Sequence, residues 1–132
     1  MRSFSDYKNL PEKEMRPIEL YLCYVAADYK RFSDLLDENA QLKGYGYNSY
    51  YFSEFADEYS PDDEEYFGNS GVRISLFPPA VHTEVAEILT KDEYYNYLED
   101  CANCYLQRAP ANVRQYLYAK LAKVKEAFRH AK

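Results

Sequence analysis

The residue types that are scarce in this chain exclude several classes of protein. Its 132 residues include no tryptophan, four glycines, three cysteines and two histidines. Three cysteines do not make the paired framework of a small disulfide-bonded domain. No apolar run approaches the ~18 residues of a membrane-spanning helix, and the first residues lack the apolar region of a signal peptide. We therefore expect a soluble cytoplasmic protein with reduced thiols and no membrane segment.

Motifs for catalysis and metal binding are also missing. The sequence has no Gly-x-Ser-x-Gly elbow, no glycine-rich phosphate loop and no dinucleotide fingerprint. The pair Cys101 and Cys104 lies well inside a predicted helix, away from its N-terminus, and no second pair completes a zinc site. The acidic run from Asp57 fails the calcium-loop spacing, because Tyr59 and Pro61 occupy ligand positions. We predict no enzyme activity, no metal and no cofactor.

Lysine and arginine are absent from the whole stretch between Gly44 and Val72. The stretch holds seven acids, six tyrosines and three phenylalanines, so its formal charge is −7, against −6 for the entire chain. Such a block repels itself, and solvated acidic runs usually lack aromatic residues. Interleaved tyrosines provide contact area with few rotamers to freeze, which is typical of a surface that binds a basic partner. A solvated loop whose tyrosines pack back on a small core is the alternative interpretation.

The candidate partner-binding residues are the tyrosines and acids of this stretch. They are Tyr45, Tyr47, Tyr50, Tyr51, Glu54, Asp57, Glu58, Tyr59, Asp62, Asp63, Glu64 and Glu65. We expect the acids to steer a basic protein by long-range attraction and the tyrosines to anchor it. Nucleic acid is not the expected partner, because a pI near 4.9 offers little basic surface to displace phosphate counterions. The basic residues after Cys101 complement the dipole of a C-terminal helix instead.

The N-terminal half of the chain predicts a helix followed by a loop. Residues 1–16 are expected to form an irregular lead-in. Apolar residues then step by three and four along residues 17–43, which predicts one helix that begins at Pro17. Residues 45–52 favour a short strand, and residues 53–70 favour a long acidic loop rich in tyrosine.

The C-terminal half predicts a small antiparallel sheet and a helical hairpin. Alternating apolar residues indicate strands over residues 72–77 and 84–89. Thr90 and Glu93 form a capping box at the start of the next helix, and a short break makes the last helix its antiparallel neighbour. We therefore predict one α+β domain over residues 1–132, with an N-terminal helix, a small antiparallel sheet and a C-terminal helical hairpin.

The C-terminal half also resembles a known family. It shows a glycine-led strand at Gly71–Phe77, an acidic strand at Glu84–Leu89 and an aromatic-rich helix that opens within Thr90–Leu98. This order is similar to the bacterial immunity proteins of ribonuclease toxins in contact-dependent growth inhibition (CDI), and the likeness covers residues 71–128. It implies a non-enzymatic cytoplasmic antitoxin that binds a nuclease domain and blocks its active site. The acidic stretch points the same way, because carboxylates can occupy a basic cleft that binds phosphate.

Two other functions are compatible with the same residues. One is an adaptor or regulatory domain that binds a basic peptide or a protein other than a toxin. The other is a small hydrolase that uses the carboxylates and His82. An immunity gene directly follows a large toxin gene, so gene context separates the first rival from the immunity protein. We expect a monomer that forms a complex with a basic nuclease toxin domain.

Overall fold

The computed structural model describes residues 1–130, and over this range five α-helices pack with a four-stranded antiparallel sheet. The helices are α1 (Phe4–Tyr7), α2 (Pro17–Val25), α3 (Tyr29–Asn39), α4 (Lys91–Tyr105) and α5 (Ala111–His130). The strands, in chain order and in spatial order, are β1 (Gly46–Tyr47), β2 (Tyr51–Phe55), β3 (Val72–Leu76) and β4 (Val85–Leu89). Short 3-10 turns lie at Glu12–Glu14, Ala56–Glu58 and Leu106–Arg108. The predicted α+β fold class is confirmed.

The inner face of the sheet forms the centre of the core. The apolar residues of β3, which are Val72, Ile74 and Leu76, are buried, and the strand packs against α2. Phe55 of β2 lies opposite Val72, and its ring meets the ring of Tyr94 in α4 edge to face, with centres 5.9 Å apart. The alternate residues of each strand point to the opposite face of the sheet, which we call the outer face.

A three-residue turn, residues 48–50, joins β1 to β2. Asn48 and Ser49 have φ of 46° and 69°, and the N–H of Tyr50 donates to the carbonyl of Tyr47 at 3.2 Å. Two central residues with positive φ match the right-handed twist of a hairpin. The one short strand predicted over residues 45–52 is therefore two strands. Because β2 continues to Phe55, the first residues of the predicted acidic loop belong to the sheet.

The single helix predicted over residues 17–43 is wrong. The structure has two helices, α2 and α3, separated by the short link Ala26–Asp28. Asp28 begins the second helix, because its Oδ1 accepts the backbone N–H of Arg31 at 2.8 Å and so caps the first turn. The apolar spacing continues across the link, which is why periodicity alone did not reveal it.

The predicted irregular lead-in, residues 1–16, is ordered by long-range contacts. Phe4 and Tyr7 of α1 are buried, and their rings meet edge to face at 5.4 Å. The N–H of Phe4 donates to Oδ2 of Asp100 in α4 at 2.6 Å. Nε of Arg2 donates to the fully buried carboxylate of Glu19 in α2 at 3.0 Å. These contacts fix the start of the chain on two other helices.

The predicted capping box opens α4. Oγ1 of Thr90 accepts the N–H of Glu93 at 3.0 Å, and the Glu93 carboxylate accepts the N–H of Thr90 at 2.9 Å. Hydrogen bonding with Thr90 lowers the pKa of the Glu93 carboxyl. The bond with the backbone of Thr90 has the larger effect and the bond with its side chain the smaller. The last helix, α5, packs against α4 and also against α3, through the buried residues Leu117, Leu121 and Val124.

Candidate partner-binding surface

The acids of the base-free stretch fall into two groups, one at the end of β2 and one further along the loop that follows it. The inner acids belong to β2 and to the 3-10 turn that follows it: Glu54, Asp57 and Glu58. The outer acids lie in the loop that returns to β3: Asp62, Asp63, Glu64 and Glu65. The two groups differ in what their carboxylates contact.

Arg73 contacts four residues at the base of the acidic loop. It lies on the outer face of β3, and its guanidinium donates to Oε1 of Glu54 at 3.1 Å and to Oε2 of Glu65 at 3.2 Å. The guanidinium carbon is 4.5 Å from the ring centre of Phe67 and 5.9 Å from that of Tyr59. The Tyr59 hydroxyl donates to Glu54, and this bond, with burial, raises the pKa of Tyr59 to about 12. The loop is therefore folded over the outer face around a single arginine.

The other two inner acids stabilise the turn after β2. Asp57 forms an ion pair with Lys91 at the start of α4, with Nζ and Oδ1 2.8 Å apart. Oε2 of Glu58 accepts the backbone N–H of Phe55 at 2.7 Å and that of Gly44 at 3.2 Å. Hydrogen bonds to an ionised acceptor are among the stronger ones in proteins. These carboxylates therefore have structural partners in the fold, although both residues are exposed.

The outer acids face solvent. All four are exposed, and the loop that carries them begins with a local turn in which Oδ2 of Asp63 accepts the N–H of Ser60 at 2.7 Å. Glu65 shares Arg73 with Glu54, as described above. Within residues 1–130, Asp62 and Glu64 form neither an ion pair nor a hydrogen bond. Four neighbouring carboxylates are thus displayed on a loop whose base is fixed.

The predicted tyrosine anchors are more buried than the sequence indicated. Tyr51 is 4 % exposed and stacks on Tyr24, with ring centres 4.6 Å apart, so its ring belongs to the core. Arg31 of α3 lies 4.1 Å from the ring centre of Tyr47. Three of the tyrosines pack partly buried against the core: Tyr45, Tyr47 and Tyr50.

The structure also separates most of these tyrosines from the outer acids. The turn between Tyr47 and Tyr50 lies at one end of β2, and the acidic loop leaves the other end. A five-residue strand spans roughly 14 Å between its first and last Cα atoms. Of the predicted anchors, Tyr59 alone follows β2 in the acidic loop, where its hydroxyl is held by Glu54.

The chain matches the model of a known protein family. A family model described as CDI immunity protein matches residues 14–117. The chain belongs to the CDI immunity protein family. The matched range contains the acidic loop and all four strands, which confirms the family resemblance inferred from residues 71–128. No curated protein and no solved structure matches the chain. The residues of this immunity protein are therefore the basis for identifying its binding surface.

The sequence interpretation of the immunity protein missed an exposed apolar edge. β4 pairs with β3, and within residues 1–130 no other strand lies beside it. Val85 is 38 % exposed and Ile88 is 57 % exposed. A signal was present in the sequence, because apolar residues occupy both alternating positions of β4, as in strands that are covered on both faces.

The thiols and histidines of the immunity protein are not gathered into a site. Cys101 is fully buried, and burial raises the pKa of its thiol, while Cys104 lies further along α4 and is partly buried. His82 is exposed in the connection between β3 and β4. Across residues 1–130, no cluster of three His, Cys, Asp or Glu side chains is placed to bind a metal ion. The helices of this range include none with the length and apolar character to cross a membrane.

Proposed function

We propose that this immunity protein binds the ribonuclease domain of its cognate CDI toxin in the cytoplasm and covers the basic active-site cleft of that domain. Membership of the family implies a toxin protein as the partner. The observation that carries the nuclease assignment is the group of four exposed carboxylates at residues 62–65. A nuclease cleft is basic because it binds phosphate, and carboxylates can take the place of phosphate there. Inhibition by binding requires no catalytic residue, metal or cofactor.

The fixed base of the acidic loop supports this role. Arg73 and Lys91 pair with acids at the two sides of the loop base, so the loop has less conformational freedom to lose on binding. The outer acids act through solvent over about 8–10 Å at physiological salt, which speeds encounter more than it tightens the final complex. Their main contribution is therefore to the association rate.

Aromatic rings in two separate areas provide the anchoring contacts. Tyr59 lies within the acidic loop, partly buried beside Arg73. Tyr45, Tyr47 and Tyr50 lie around the β1–β2 hairpin and offer a second area of contact. The ring of Tyr51 is in the core, so we leave it out of the surface.

The toxin domain encoded immediately upstream of the immunity gene is the reagent for the test. Its cleavage of labelled RNA is measured while the immunity protein is added. We expect cleavage to stop at an equimolar amount. A toxin domain that binds the immunity protein but cleaves no RNA would contradict the ribonuclease assignment. Cleavage that continues in the saturated complex would contradict coverage of the active site.

A further inference from the structure

We infer that the free edge of β4 pairs with an extended basic segment of the toxin, which adds a strand to the sheet beside the acidic loop. The inference rests on the proposed function, because it takes the toxin as the partner. It goes further in naming a second contact surface and the conformation of the toxin segment that binds there.

The outer edge of β4 is open. Among residues 1–130, backbone hydrogen bonds join this strand to β3 and to no segment on its other side. An edge strand offers unpaired N–H and C=O groups, and proteins usually protect such an edge with Lys, Pro, a bulge or a very short strand. β4 has five residues and none of these devices. The opposite edge, β1, has only two residues.

The one charged residue of β4 points inward, so no charge stands on the solvent side of the strand. Glu87 turns toward α2, where its Oε1 accepts the N–H of Ile18 at 3.1 Å and its other oxygen accepts the guanidinium of Arg16. What β4 presents to solvent is therefore apolar: Val85, Ala86 and Ile88.

A groove next to β4 provides a place for the side chains of an added strand. It has a volume of about 480 Å³ and is lined by Val85 and Leu76 of the sheet and by the apolar Met15, Pro17 and Leu20. The charged residues Glu12 and Lys13 lie at the same groove. When a strand is added to a sheet, alternate side chains point to the same face. Those on the face of Val85 meet this groove, so main-chain hydrogen bonds and apolar contact act together.

The charges around the edge favour a basic occupant over a second copy of this chain. Two copies paired antiparallel about Glu87 would bring Glu84 of each copy close to the acidic start of α4 in the other. Each copy also carries a net charge of −6, so the two copies would repel each other. A basic segment would instead meet Glu84 as a favourable neighbour.

The acidic loop is continuous with this edge. Ile88 of β4 lies directly opposite Arg73 of β3 on the outer face, and Arg73 binds Glu65 of the loop. Lys91, two residues after β4 ends, binds Asp57 at the other side of the loop base. The outer acids are therefore placed to attract the same basic segment that pairs with β4.

The test uses the full-length immunity protein with a catalytically inactive variant of the toxin domain. Ile88→Lys introduces a protecting charge at an exposed position, so the fold is expected to survive, as circular dichroism would show. Tyr118→Lys, at a 37 % exposed residue of α5, is the matched control. We expect Ile88→Lys to raise the dissociation constant at least about tenfold and Tyr118→Lys to change it less than about twofold.

Hydrogen exchange on the wild-type protein tests the strand pairing without any substitution. We expect the amides of residues 84–89 to exchange at least about tenfold more slowly in the toxin complex than in the free protein. Equal exchange rates in the two states would overturn the pairing while leaving the proposed function intact. A wild-type dimer that Ile88→Lys converts to a monomer would assign the edge to a second copy and would also overturn the inference. If the wild-type protein bound no toxin domain, both the proposed function and the strand pairing at β4 would be contradicted.

Discussion

The inner acids, at the end of β2, and the outer acids, in the loop beyond it, have the same chemistry and different surroundings. All three inner acids contact Arg73, Lys91 or backbone N–H groups. The outer acids are exposed, and among them Glu65 shares Arg73 and Asp63 caps a local turn. Position relative to the sheet, rather than composition, decides which carboxylates are available to a partner. The comparison teaches that the charge of a stretch overstates its binding surface, because part of that charge stabilises the fold.

Removing the cation shared by both groups should have the largest effect. Arg73→Met keeps an apolar stem beside Phe67 but leaves Glu54 without its ion pair. We expect the free energy of unfolding to fall by about 2 kcal/mol, less than for a fully buried pair because Arg73 is 15 % exposed. Urea titration measures it. Arg114→Met removes an exposed arginine as the control and should cost less than about 0.5 kcal/mol. Equal losses would show that Arg73 does not hold the loop.

Neutralising the outer acids should change the association rate much more than the stability. The variant replaces Asp62 and Asp63 with Asn and Glu64 and Glu65 with Gln. We expect association with the toxin domain to slow by about tenfold, equivalent to about 1.4 kcal/mol in the barrier, with a flatter salt dependence and a smaller change in dissociation. Surface plasmon resonance at two salt concentrations measures both rates.

A second fourfold variant controls for net charge. It carries Asp6→Asn, Glu14→Gln, Glu38→Gln and Glu99→Gln, and both variants lose four negative charges, from −6 to −2. We expect this control to slow association much less than the variant of the outer acids. Equal slowing by the two variants would mean that total charge, and not the acidic loop, steers the toxin.

The sequence predicted those elements whose signals are local. The alternation of Val72, Ile74 and Leu76 identified β3, and Thr90 with Glu93 marked the start of α4 at its actual cap. The acidic stretch was recognised as unusual by composition alone. Each of these patterns is complete within a few neighbouring residues.

The features that the sequence did not predict depend on contacts between residues far apart in the chain. Two of the inner acids, Glu54 and Asp57, pair with Arg73 and Lys91, which lie outside the stretch and meet it only in the folded protein. The order of residues 1–16 comes from contacts with α2 and α4, so no periodicity within that segment revealed it. The burial of Tyr51 likewise depends on Tyr24, a residue of another element.

A single inner acid should matter more for stability than a single outer acid. Glu58→Ala removes the acceptor of two backbone N–H groups, so we expect a loss of about 1 kcal/mol in the free energy of unfolding. Glu64→Ala, at an exposed residue without such contacts, should be near neutral. Thermal or urea denaturation compares the two. Indistinguishable stabilities for these variants would remove the distinction between inner and outer acids.

The ion pair of Asp57 should give the smallest effect. Asp57→Asn removes its charge, and because the carboxylate is partly exposed we expect a loss of about 0.5 kcal/mol. The loss should shrink at ~1 M salt, where such pairs are screened. Urea titrations at low and high salt provide the measurement. A loss that persists unchanged at high salt would indicate that hydrogen bonding, rather than charge, holds the turn.

The hydrogen bond from Phe4 to Asp100 has a consequence for when the chain can finish folding. It joins residues 96 positions apart, so the contacts between α1 and α4 form only once α4 has been made. At ~5–20 residues per second, synthesis leaves Phe4 and Tyr7 without these contacts for roughly 5–20 seconds on every nascent chain. The first residues to be synthesised therefore wait for a much later helix before they can pack.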